Sequence, residues 1–378
     1  MRGTPHTPGI KSIASLEKLR LVVRGPLLRW FKANQRKFPW RRSRTAYRVW
    51  ISEMMLQQTR ADQVIPYFNR FVKKFPGLRR LAGASRQEVL KLWEGLGYYS
   101  RARRIHEAAI YLCAERQGRF PRTLEGLRSL PGIGPYSAAA IGSLALGIDL
   151  AVVDGNVIRV VSRLLAFSGS PQSRAGRQVI QATVDALLIP GRAGLFNEAM
   201  MELGALCCVP RKPTCPVCPF RKVCRAFLQG DPEAYPLRVK KPRVPHKIVG
   251  AGVVVNRKGD LLIARRKDDA MLGGLWEFPG GTLEKGETIR QCIARELKEE
   301  MGIETRIGGR LVTVRHAYSH FTIDLHAYWA VIRKGNPQCI HCADFAWVSV
   351  EEMASYPFSR ADLKIIEELK KAVRNIHQ

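Results

Sequence analysis

The spacing of the cysteines constrains this 378-residue chain more than any other feature. Five of its nine cysteines fall within residues 207–224, and four follow the pattern Cys208-x6-Cys215-x2-Cys218-x5-Cys224. Thiolates this close together bind a soft metal centre, and chemistry alone allows either a [4Fe–4S] cluster or a zinc ion. Four buried free thiols are the alternative, which the density of the cysteines disfavours. In this register Cys207 is a neighbour of the ligands and not one of them.

The positive charge is concentrated in the N-terminal two-thirds. Lys and Arg number 62 against 32 Asp and Glu, a formal net charge of +30. Residues 1–228 hold 38 of the basic and 13 of the acidic residues, whereas residues 248–378 hold 19 and 17. An apolar content of 46% excludes a disordered chain. The sequence contains no run of about 18 apolar residues, so no membrane span is predicted. The charge therefore indicates a polyanionic partner, nucleic acid first, for residues 1–228.

The hydrophobic periodicity and the composition change along the chain, and they predict two folded domains. Residues 16–228 show helical periodicity interrupted by Pro and Gly, which predicts an all-α domain with the cysteine loop at residues 208–224. Residues 229–247 are rich in Pro, Lys and Arg and suit an extended linker. Residues 248–378 predict a mixed α/β domain: strands at 248–255, 260–266, 311–316 and 321–332, and helices at 288–301 and 361–374.

A Pro-Gly hairpin separates two helical segments of the basic domain. In Leu130-Pro-Gly-Ile-Gly-Pro-Tyr136, Gly132 and Gly134 allow positive φ and close approach to a ligand. Pro135 suits the first turn of the next helix, whose free amides would face a phosphate. An ordinary helical turn is the alternative, but the basic surroundings favour a helix-hairpin-helix DNA-binding element.

Acidic residues are scarce before residue 229, so the presence of Glu53 and Asp154 needs an explanation. Glu53 lies beside an apolar face of the helix predicted over residues 45–60, where burial should raise its pKa toward that of a general acid. The alternative is a glutamate that pairs with a surface arginine. Asp154 takes an N-cap position, where amides and the helix dipole should keep it ionised. Plain capping is the alternative there, but opposite pKa shifts would separate a general acid from an electrostatic stabiliser or nucleophile.

Residues 25–224 closely resemble the adenine-specific mismatch DNA glycosylases of the MutY type, in the helix-hairpin-helix, endonuclease III-like superfamily. The resemblance selects a [4Fe–4S] cluster over zinc. It implies that adenine mispaired with 8-oxoguanine or guanine is excised from double-stranded DNA in base excision repair. The matching strings are Phe38-Pro-Trp40, Trp50-Ile-Ser-Glu-Met-Met-Leu-Gln-Gln-Thr59, Gly95-Leu-Gly-Tyr-Tyr99, Leu130-Pro-Gly-Ile-Gly134, Val153-Asp-Gly-Asn-Val157, Phe196-Asn-Glu-Ala-Met-Met-Glu-Leu-Gly204 and the cysteine spacing.

The resemblance also implies catalytic roles. Glu53 resembles the acid that protonates adenine at N7, and Asp154 resembles the carboxylate that stabilises the oxocarbenium sugar. Tyr136 and Asn156 resemble groups beside the sugar. Relatives with lyase activity carry a Schiff-base lysine just after the hairpin. A tyrosine at position 136 cannot form an imine, so the resemblance implies a monofunctional glycosylase.

Further positions resemble residues that handle the DNA. Arg36 and Trp40 fit the adenine pocket of the family. Gln58 and Tyr98 resemble the residues that wedge into the duplex while adenine is flipped out, a step that costs a few kcal/mol.

The C-terminal domain contains a complete Nudix box, Gly281-x5-Glu287-x7-Arg295-Glu-Leu-Lys-Glu-Glu-Met-Gly-Ile303. It resembles a Nudix (MutT-like) domain, whereas the similar domain of MutY-type enzymes usually lacks the box. Glu296, Glu299 and Glu300 lie at i, i+3 and i+4 on one helix face. Like charges there repel unless a cation binds, so they predict a Mg²⁺ or Mn²⁺ site. A solvated helix face is the alternative.

The string Arg315-His-Ala-Tyr-Ser-His320 resembles the loop with which MutY-type enzymes read 8-oxoguanine. The resemblance implies that Ser319 hydrogen-bonds the lesion, that Tyr318 wedges beside it and that His320 belongs to the same DNA-binding loop. Lesion recognition is the main role that we expect of this domain. The competing hypothesis adds hydrolysis of an oxidised nucleoside triphosphate such as 8-oxo-dGTP, since the metal-ligand set is complete. The Cys339-x2-Cys342 pair lacks a partner pair, and we interpret it as incidental.

The sequence predicts a monomeric, bacterial-type cytoplasmic enzyme associated with the nucleoid. No apolar secretory segment is visible, and a faint transit-peptide character of the first 16 residues leaves an organellar location as the alternative. A non-catalytic lesion-binding protein is the alternative of another class, and the Glu53 and Asp154 pair argues against it. A bifunctional endonuclease III-type lyase is the other enzyme alternative.

Overall fold

The computed structural model describes residues 13–237 and 244–376. The chain forms two compact units, which we call the helical unit (Met1–Val72 with Tyr111–Lys241) and the mixed unit (Lys73–Ile110 with Pro242–Gln378). This division differs from the continuous helical domain expected over residues 16–228. Residues 1–12, most of the segment with transit-peptide character, lie outside the described residues. Residues 238–243, in the middle of the predicted linker, also lie outside them. The predicted boundaries at 228 and 248 stay a prediction.

The N-terminal part of the chain is helical, as the sequence predicts. Among the described residues no helix is both long and apolar enough to cross a membrane. In chain order the helices up to residue 228 are α1 (Ile13–Asn34), α2 (Ala46–Leu56), α3 (Ala61–Lys74), α4 (Leu78–Ala82), α5 (Arg86–Trp93), α6 (Ser100–Glu115), α7 (Leu124–Arg128), α8 (Pro135–Ala145), α9 (Gly155–Leu165), α10 (Arg174–Leu187), α11 (Ala193–Leu206) and α12 (Arg225–Leu228).

Local sequence explains where the site-bearing helices begin and end. The hydroxyl of Thr45 accepts a hydrogen bond from the Arg48 amide at the start of α2. Pro135 occupies the first turn of α8, directly after Gly134. Helix α2 ends at Leu56, short of the predicted segment 45–60, because Gln58 has a φ of 57°, which a right-handed helix cannot accommodate.

One cluster of buried apolar side chains joins four helices of the helical unit. Helices α1, α9, α10 and α11 contribute its large buried side chains, among them Phe31, Val161, Val184 and Phe196. Helix α8 packs against both α2 and α11. The first residues of α9 and the inner faces of α2, α8 and α11 are thereby fixed, and these are the elements that carry the candidate catalytic residues.

The mixed unit contains two sheets, as the predicted α/β class requires. One sheet has the order β4-β1-β6-β5, with β1 parallel to β6, and the other has the order β3-β2-β7. Strands β3, β4 and β7 had no sequence prediction, and the first two are only two and three residues long. The elements are β1 (His246–Val254), β2 (Leu261–Arg265), β3 (Trp276–Glu277), β4 (Gly280–Thr282), α13 (Ile289–Met301), β5 (Glu304–Ala317), β6 (Thr322–Lys334), β7 (Asp344–Val348) and α14 (Arg360–Ile376).

Residues 73–110 join the mixed unit through specific side-chain contacts. The indole of Trp276 donates a hydrogen bond of 3.0 Å to Gln87 Oε1. Lys91 Nζ donates to the carbonyl oxygen of Tyr356 at 2.8 Å, and the buried Tyr99 hydroxyl donates to that of Phe358 at 3.1 Å. Helices α5 and α6 therefore complete the core that the C-terminal strands begin.

Helix α13 packs on β1 at positions where the strand has no side chain. A Cβ atom built on Gly250 would lie 2.6 Å from Ile293 Cγ1, and one built on Gly252 would lie 2.8 Å from Leu297 Cδ1. The helix that carries the Nudix box can therefore approach the sheet only because both positions are glycine.

We expect Gly250→Ala to destabilise the mixed unit by about 1–3 kcal/mol, because the β-branched Ile293 has little rotamer freedom with which to move away. The matched control is Gly309→Ala in β5, where a new Cβ meets no atom within 4 Å. Urea unfolding of the full chain checks this, and equal midpoints for the two variants would contradict it.

Candidate active site and lesion-reading residues

A cavity of about 400 Å³ opens between α2, α8, α11 and the N-terminus of α9 in the helical unit. Its volume lies in the range usual for small-molecule sites. Six residues singled out from the sequence, separated by up to 120 positions, share its wall: Arg36, Trp40, Glu53, Tyr136, Asp154 and Asn156.

Glu53 is a buried acid of this cavity, with 5% of its surface exposed. Burial raises its pKa to about 7, and the negative charges of Asp154 and Glu198 act in the same direction. The Tyr136 hydroxyl opposes the shift by donating a 2.7 Å hydrogen bond to Glu53 Oε2. The raised pKa agrees with the expectation from the apolar helix face, and it suits a group that gives up a proton near neutral pH.

Asp154 caps α9 as predicted, but the predicted downward shift of its pKa is wrong. Its Oδ1 accepts a 2.7 Å hydrogen bond from the Val157 amide, and its Oδ2 accepts one of 2.8 Å from the Asn156 side chain. These bonds favour the charged form, yet removal from water outweighs them, and the pKa of Asp154 is raised. The two carboxyls are therefore shifted in the same direction. They differ in their surroundings, because Asp154 accepts two hydrogen bonds and Glu53 accepts one from a phenol.

A chain of hydrogen bonds leads from Asp154 to the cysteine loop. Asn156 donates to Asp154 and accepts a 2.9 Å bond from Arg159 Nη2. Arg159 Nε donates to the carbonyl oxygen of Cys208 at 2.7 Å. Gly204 of α11 makes room for this chain, since a Cβ there would lie 2.6 Å from the Cβ of Asn156. The position of the Asp154 carboxylate thus depends on the first cysteine of the loop.

Two glutamates that sequence reasoning missed organise the wall of the cavity. Glu202 accepts hydrogen bonds from Arg36 and Arg41, and Glu198 accepts them from Arg41 and Arg44. Both acids are almost fully buried and lie four residues apart on α11. The scarcity of acids before residue 229, which drew attention to Glu53, could have found them too.

These ion pairs change the interpretation of Arg36. Its guanidinium and its backbone amide both bind Glu202, so it helps to hold the wall at residues 36–41. Trp40 is buried there, stacked on Phe38 with ring centroids 4.8 Å apart. The aromatic pair gives the cavity a flat apolar side that suits a base.

The predicted DNA-handling residues of the helical unit lie at sharp bends. Gln58 is exposed and has a φ of 57°, a backbone conformation that costs about 1–3 kcal/mol for a residue with a side chain. In the hairpin, Gly132 has a φ of 72°, and Gly134 is the N-cap residue of α8 with open space where a Cβ would stand. The positive φ expected of the hairpin glycines is therefore present at Gly132, whereas Gly134 has a φ of −82°.

The predicted ligands Cys208, Cys215, Cys218 and Cys224 converge on one small cavity, which Cys207 also lines. All five thiols are free, and the buried guanidinium of Arg163 donates a 3.4 Å hydrogen bond to Cys208 Sγ. Four convergent sulfur donors and a buried cation fit an iron–sulfur cluster, because thiolate ligands carry negative charge. Among residues 13–237 and 244–376, no group of three or more His, Cys, Asp or Glu side chains is arranged to hold a metal ion.

In the mixed unit, two residues predicted separately to contact DNA meet. The hydroxyls of Tyr98 and Ser319 lie 2.6 Å apart. Tyr98 has a φ of 51°, so its backbone is held in the left-handed region. Ser319 and His320 are exposed, whereas the ring of Tyr318 packs on Phe321, with centroids 5.0 Å apart, against the core of the unit. The ring expected to wedge beside the lesion is thus partly buried.

The Nudix box places its acids around Arg295. This guanidinium donates hydrogen bonds to Glu287, Glu296 and Glu299. Burial raises the pKa of Glu300 to about 7, with the charge of Glu296 next in importance. The expected repulsion among the three glutamates is therefore present at Glu300 and is relieved at the other two by an arginine.

Comparison with known proteins gives the family. Residues 51–184 match the HhH-GPD superfamily of base excision DNA repair proteins, and residues 250–368 match the NUDIX domain. The chain is 34% identical to the adenine DNA glycosylase of Homo sapiens, over 91% of this chain and 73% of the human protein. It is 30% identical to that of Buchnera aphidicola subsp. Acyrthosiphon pisum, over 92% of this chain and 97% of the relative. The chain belongs to the adenine DNA glycosylase family.

Membership of the adenine DNA glycosylase family confirms the resemblance found in the motifs. Among solved structures, a thermostable thymine-DNA glycosylase superposes with a TM-score of 0.53 and 29% identity, covering 57% of this chain and 99% of its own. The predicted architecture, a helix-hairpin-helix domain followed by a Nudix domain, is therefore confirmed.

We expect Glu53→Gln to remove a pH dependence from the stability of this adenine DNA glycosylase. The native pKa of Glu53, about 7, exceeds the ordinary 4.5, so its bound proton contributes stability that is complete below pH 4.5 and lost as the pH rises through 7. The neutral variant should exceed the wild type above pH 7, on the order of 2 kcal/mol in free energy of unfolding. Urea unfolding from pH 5 to 8 measures the difference, and a difference that is constant with pH would contradict this origin.

We expect Gly204→Ala to slow adenine release without preventing DNA binding. The new Cβ would displace Asn156 and with it the Asp154 carboxylate, and misplacement by about 1 Å can cost on the order of 100-fold in rate. Single-turnover assays on a mispaired duplex measure the rate. Gly77→Ala, where a Cβ meets nothing within 4 Å, is the control. Equal rates for the two variants would show that this packing does not position Asp154.

Proposed function

We propose that this chain is a monofunctional adenine DNA glycosylase that hydrolyses the N-glycosidic bond of adenine mispaired with 8-oxoguanine or guanine. The observation that supports it best is the cavity in which Glu53, with a pKa of about 7, faces the same space as Asp154. A general acid works best when its pKa lies near the working pH. A carboxylate on the same cavity supplies the opposite function, stabilisation of a cationic sugar.

The residues divide the reaction between them. Glu53 protonates N7 of the flipped adenine, and Tyr136 holds its carboxyl through the 2.7 Å hydrogen bond. As the base leaves, positive charge develops on the sugar and favours the ionised form of Asp154. Asn156 and the Val157 amide keep that carboxylate in place. Because position 136 offers a phenol and not an amine, water completes the reaction and no imine forms.

Lesion reading and duplex opening are linked in the mixed unit. Ser319, exposed and within 2.6 Å of Tyr98, is the group that we assign to 8-oxoguanine, and Tyr98 enters the stack beside it. Their shared hydrogen bond couples the wedge to the reader. The mixed unit thereby checks the base opposite adenine, while the helical unit holds the adenine.

The cluster proposed at Cys208, Cys215, Cys218 and Cys224 has a structural role in this scheme. When bound, a [4Fe–4S] cluster cross-links the loop through its thiolates. Arg163 balances the charge of the thiolates, and Arg159 connects the loop to Asn156. The cations that flank the cysteines contact DNA phosphates, which predicts binding that weakens steeply with salt. We also propose that the protein acts as a monomer in the bacterial cytoplasm, where it associates with the nucleoid.

Excision assays with the full chain test the proposal. We expect adenine release from A·8-oxoG and A·G duplexes, loss of more than about 100-fold in Asp154→Asn, and retained duplex binding in that variant. Ser319→Ala should lower the preference for A·8-oxoG while A·G cleavage continues. Binding without release by the wild type would favour the lesion-binding alternative. Efficient borohydride trapping of a DNA adduct would favour the lyase.

Point variants are preferable to truncation here. Removing residues 248–378 would also remove Trp276 and Phe358, which are the hydrogen-bond partners of Gln87 and Tyr99. A loss of lesion preference could then reflect unfolding of residues 73–110.

A second activity has a specific observation in its favour. A cavity of about 310 Å³ in the mixed unit extends to Gly280 and Gly281, and Gly281 lies against the Glu296 carboxylate. The ion pair between Arg266 and Glu277 and the buried Asp362 line the same cavity. We propose that a nucleoside triphosphate such as 8-oxo-dGTP binds here, with its phosphates near a Mg²⁺ or Mn²⁺ ion held by Glu296, Glu299 and Glu300.

Incubating the full chain with Mg²⁺ and 8-oxo-dGTP tests this activity. We expect pyrophosphate release that falls by more than about 100-fold in Glu300→Gln, while adenine excision persists. Glu304→Gln, an exposed residue at the start of β5, is the control. No release by the wild type would leave lesion reading as the role of this domain.

A further inference from the structure

The loop of residues 335–343, which we call the dithiol loop, joins β6 to β7 and brings two thiols together. Cys339 Sγ and Cys342 Sγ lie 2.8 Å apart. Cys339 is exposed, and Cys342 is partly buried against the core. A disulfide is about 2.05 Å long, so a small movement of two side chains would close the bond. The spacing interpreted as incidental from the sequence is therefore a pair of sulfurs in reacting distance.

The dithiol loop also caps the helix of the Nudix box. The amide of Gln338 donates to the carbonyl oxygen of Met301 at 2.9 Å, and the amide of Ile340 donates to that of Glu300 at 3.1 Å. The last carbonyls of a helix have no partner within it, so these bonds satisfy groups at the end of α13. Cys342 Sγ further contacts Met301 Sδ at 3.9 Å.

We propose that Cys339 and Cys342 form a reversible disulfide by exchange with a low-molecular-weight disulfide such as glutathione disulfide, and that this bond tightens the cap on α13. The inference goes beyond both proposed activities and depends on neither. It makes the dithiol loop a modification site whose state is set by the thiol–disulfide balance around the protein.

The exchange takes place in two balanced steps. The Cys339 thiolate attacks one sulfur of glutathione disulfide, forms a mixed disulfide and releases one glutathione thiolate. Cys342 gives its proton to solvent and attacks the Cys339 sulfur, which releases the second glutathione. The two cysteines lose two electrons and two protons, and glutathione disulfide becomes two molecules of glutathione.

The order of attack follows from accessibility. Cys339 is open to solvent, whereas burial, and then the Cys339 thiol, raise the pKa of Cys342 to about 12. A protonated and half-buried thiol is a poor first nucleophile. It becomes the resolving thiol because the mixed disulfide would form 2.8 Å away.

Mass spectrometry of the full chain tests the couple directly. Trypsin releases residues 335–360 as one peptide whose only cysteines are Cys339 and Cys342. After equilibration in glutathione buffers and quenching with N-ethylmaleimide, we expect the peptide to lose both labels together and regain them with dithiothreitol. The buried Cys292 should stay labelled after denaturation and serves as the internal control. A peptide that keeps both labels in every buffer, or ends as a stable single glutathione adduct, overturns the proposal.

Two variants test the order of attack and the effect on the cap. Cys342→Ser should accumulate a glutathione adduct on Cys339, and Cys339→Ser should form none on the same timescale. Equal reaction of both variants would overturn the assigned order. Hydrogen exchange of the wild type should slow on the order of tenfold around residues 338–341 when the loop is oxidised, as expected when a cross-link closes a short loop. Unchanged exchange in the fully oxidised protein would overturn the effect on α13.

Discussion

Burial of the Glu53 carboxyl between α2 and α8 is the constraint on which the helical unit depends. A carboxyl removed from water remains stable only if it keeps a proton or gains hydrogen bonds. Glu53 has one such bond, from Tyr136, and buried apolar residues of its own helix, such as Trp50 and Ile51, must offset the rest of the cost. The same burial gives the acid a pKa of about 7. Burial of Glu53 therefore lowers the stability of the unit at neutral pH, while it gives the carboxyl a pKa suited to proton transfer.

Among the acids that line the cavity, the pKa values of Glu53, Asp154 and Glu198 are raised, whereas that of Glu202 is lowered. Glu198 and Glu202 are buried as deeply as Glu53, but arginines neutralise them. Asp154 has amide donors and Glu53 has a phenol. Glu53, whose hydrogen-bond donor is a phenol, has a pKa raised to about 7. A chain of hydrogen bonds through Asn156 and Arg159 connects the Asp154 carboxylate to the loop of cysteines at Cys208.

The sequence predicts what local patterns determine and misses what distant partners determine. The helices, the N-cap at Asp154, the hairpin glycines and the burial of Glu53 all follow from neighbours within a few positions. The raised pKa of Asp154 does not, because it depends on how much water the whole cavity excludes. The roles of Glu198 and Glu202 depend on arginines more than 150 residues away. The two cysteines of the dithiol loop looked incidental in the sequence, because their significance depends on the end of α13 that the loop caps.

The mixed unit is built from two separate segments of the chain, Lys73–Ile110 and Pro242–Gln378, and this affects how it folds during synthesis. Residues 73–110 find their packing partners, such as Trp276 and Phe358, only after more than 160 further residues have been added. At about 5–20 residues per second, α5 and α6 emerge from the ribosome many seconds before those partners exist. Contacts so distant in sequence also slow folding itself. We therefore expect α5 and α6 to spend that interval in the nascent chain without these partners.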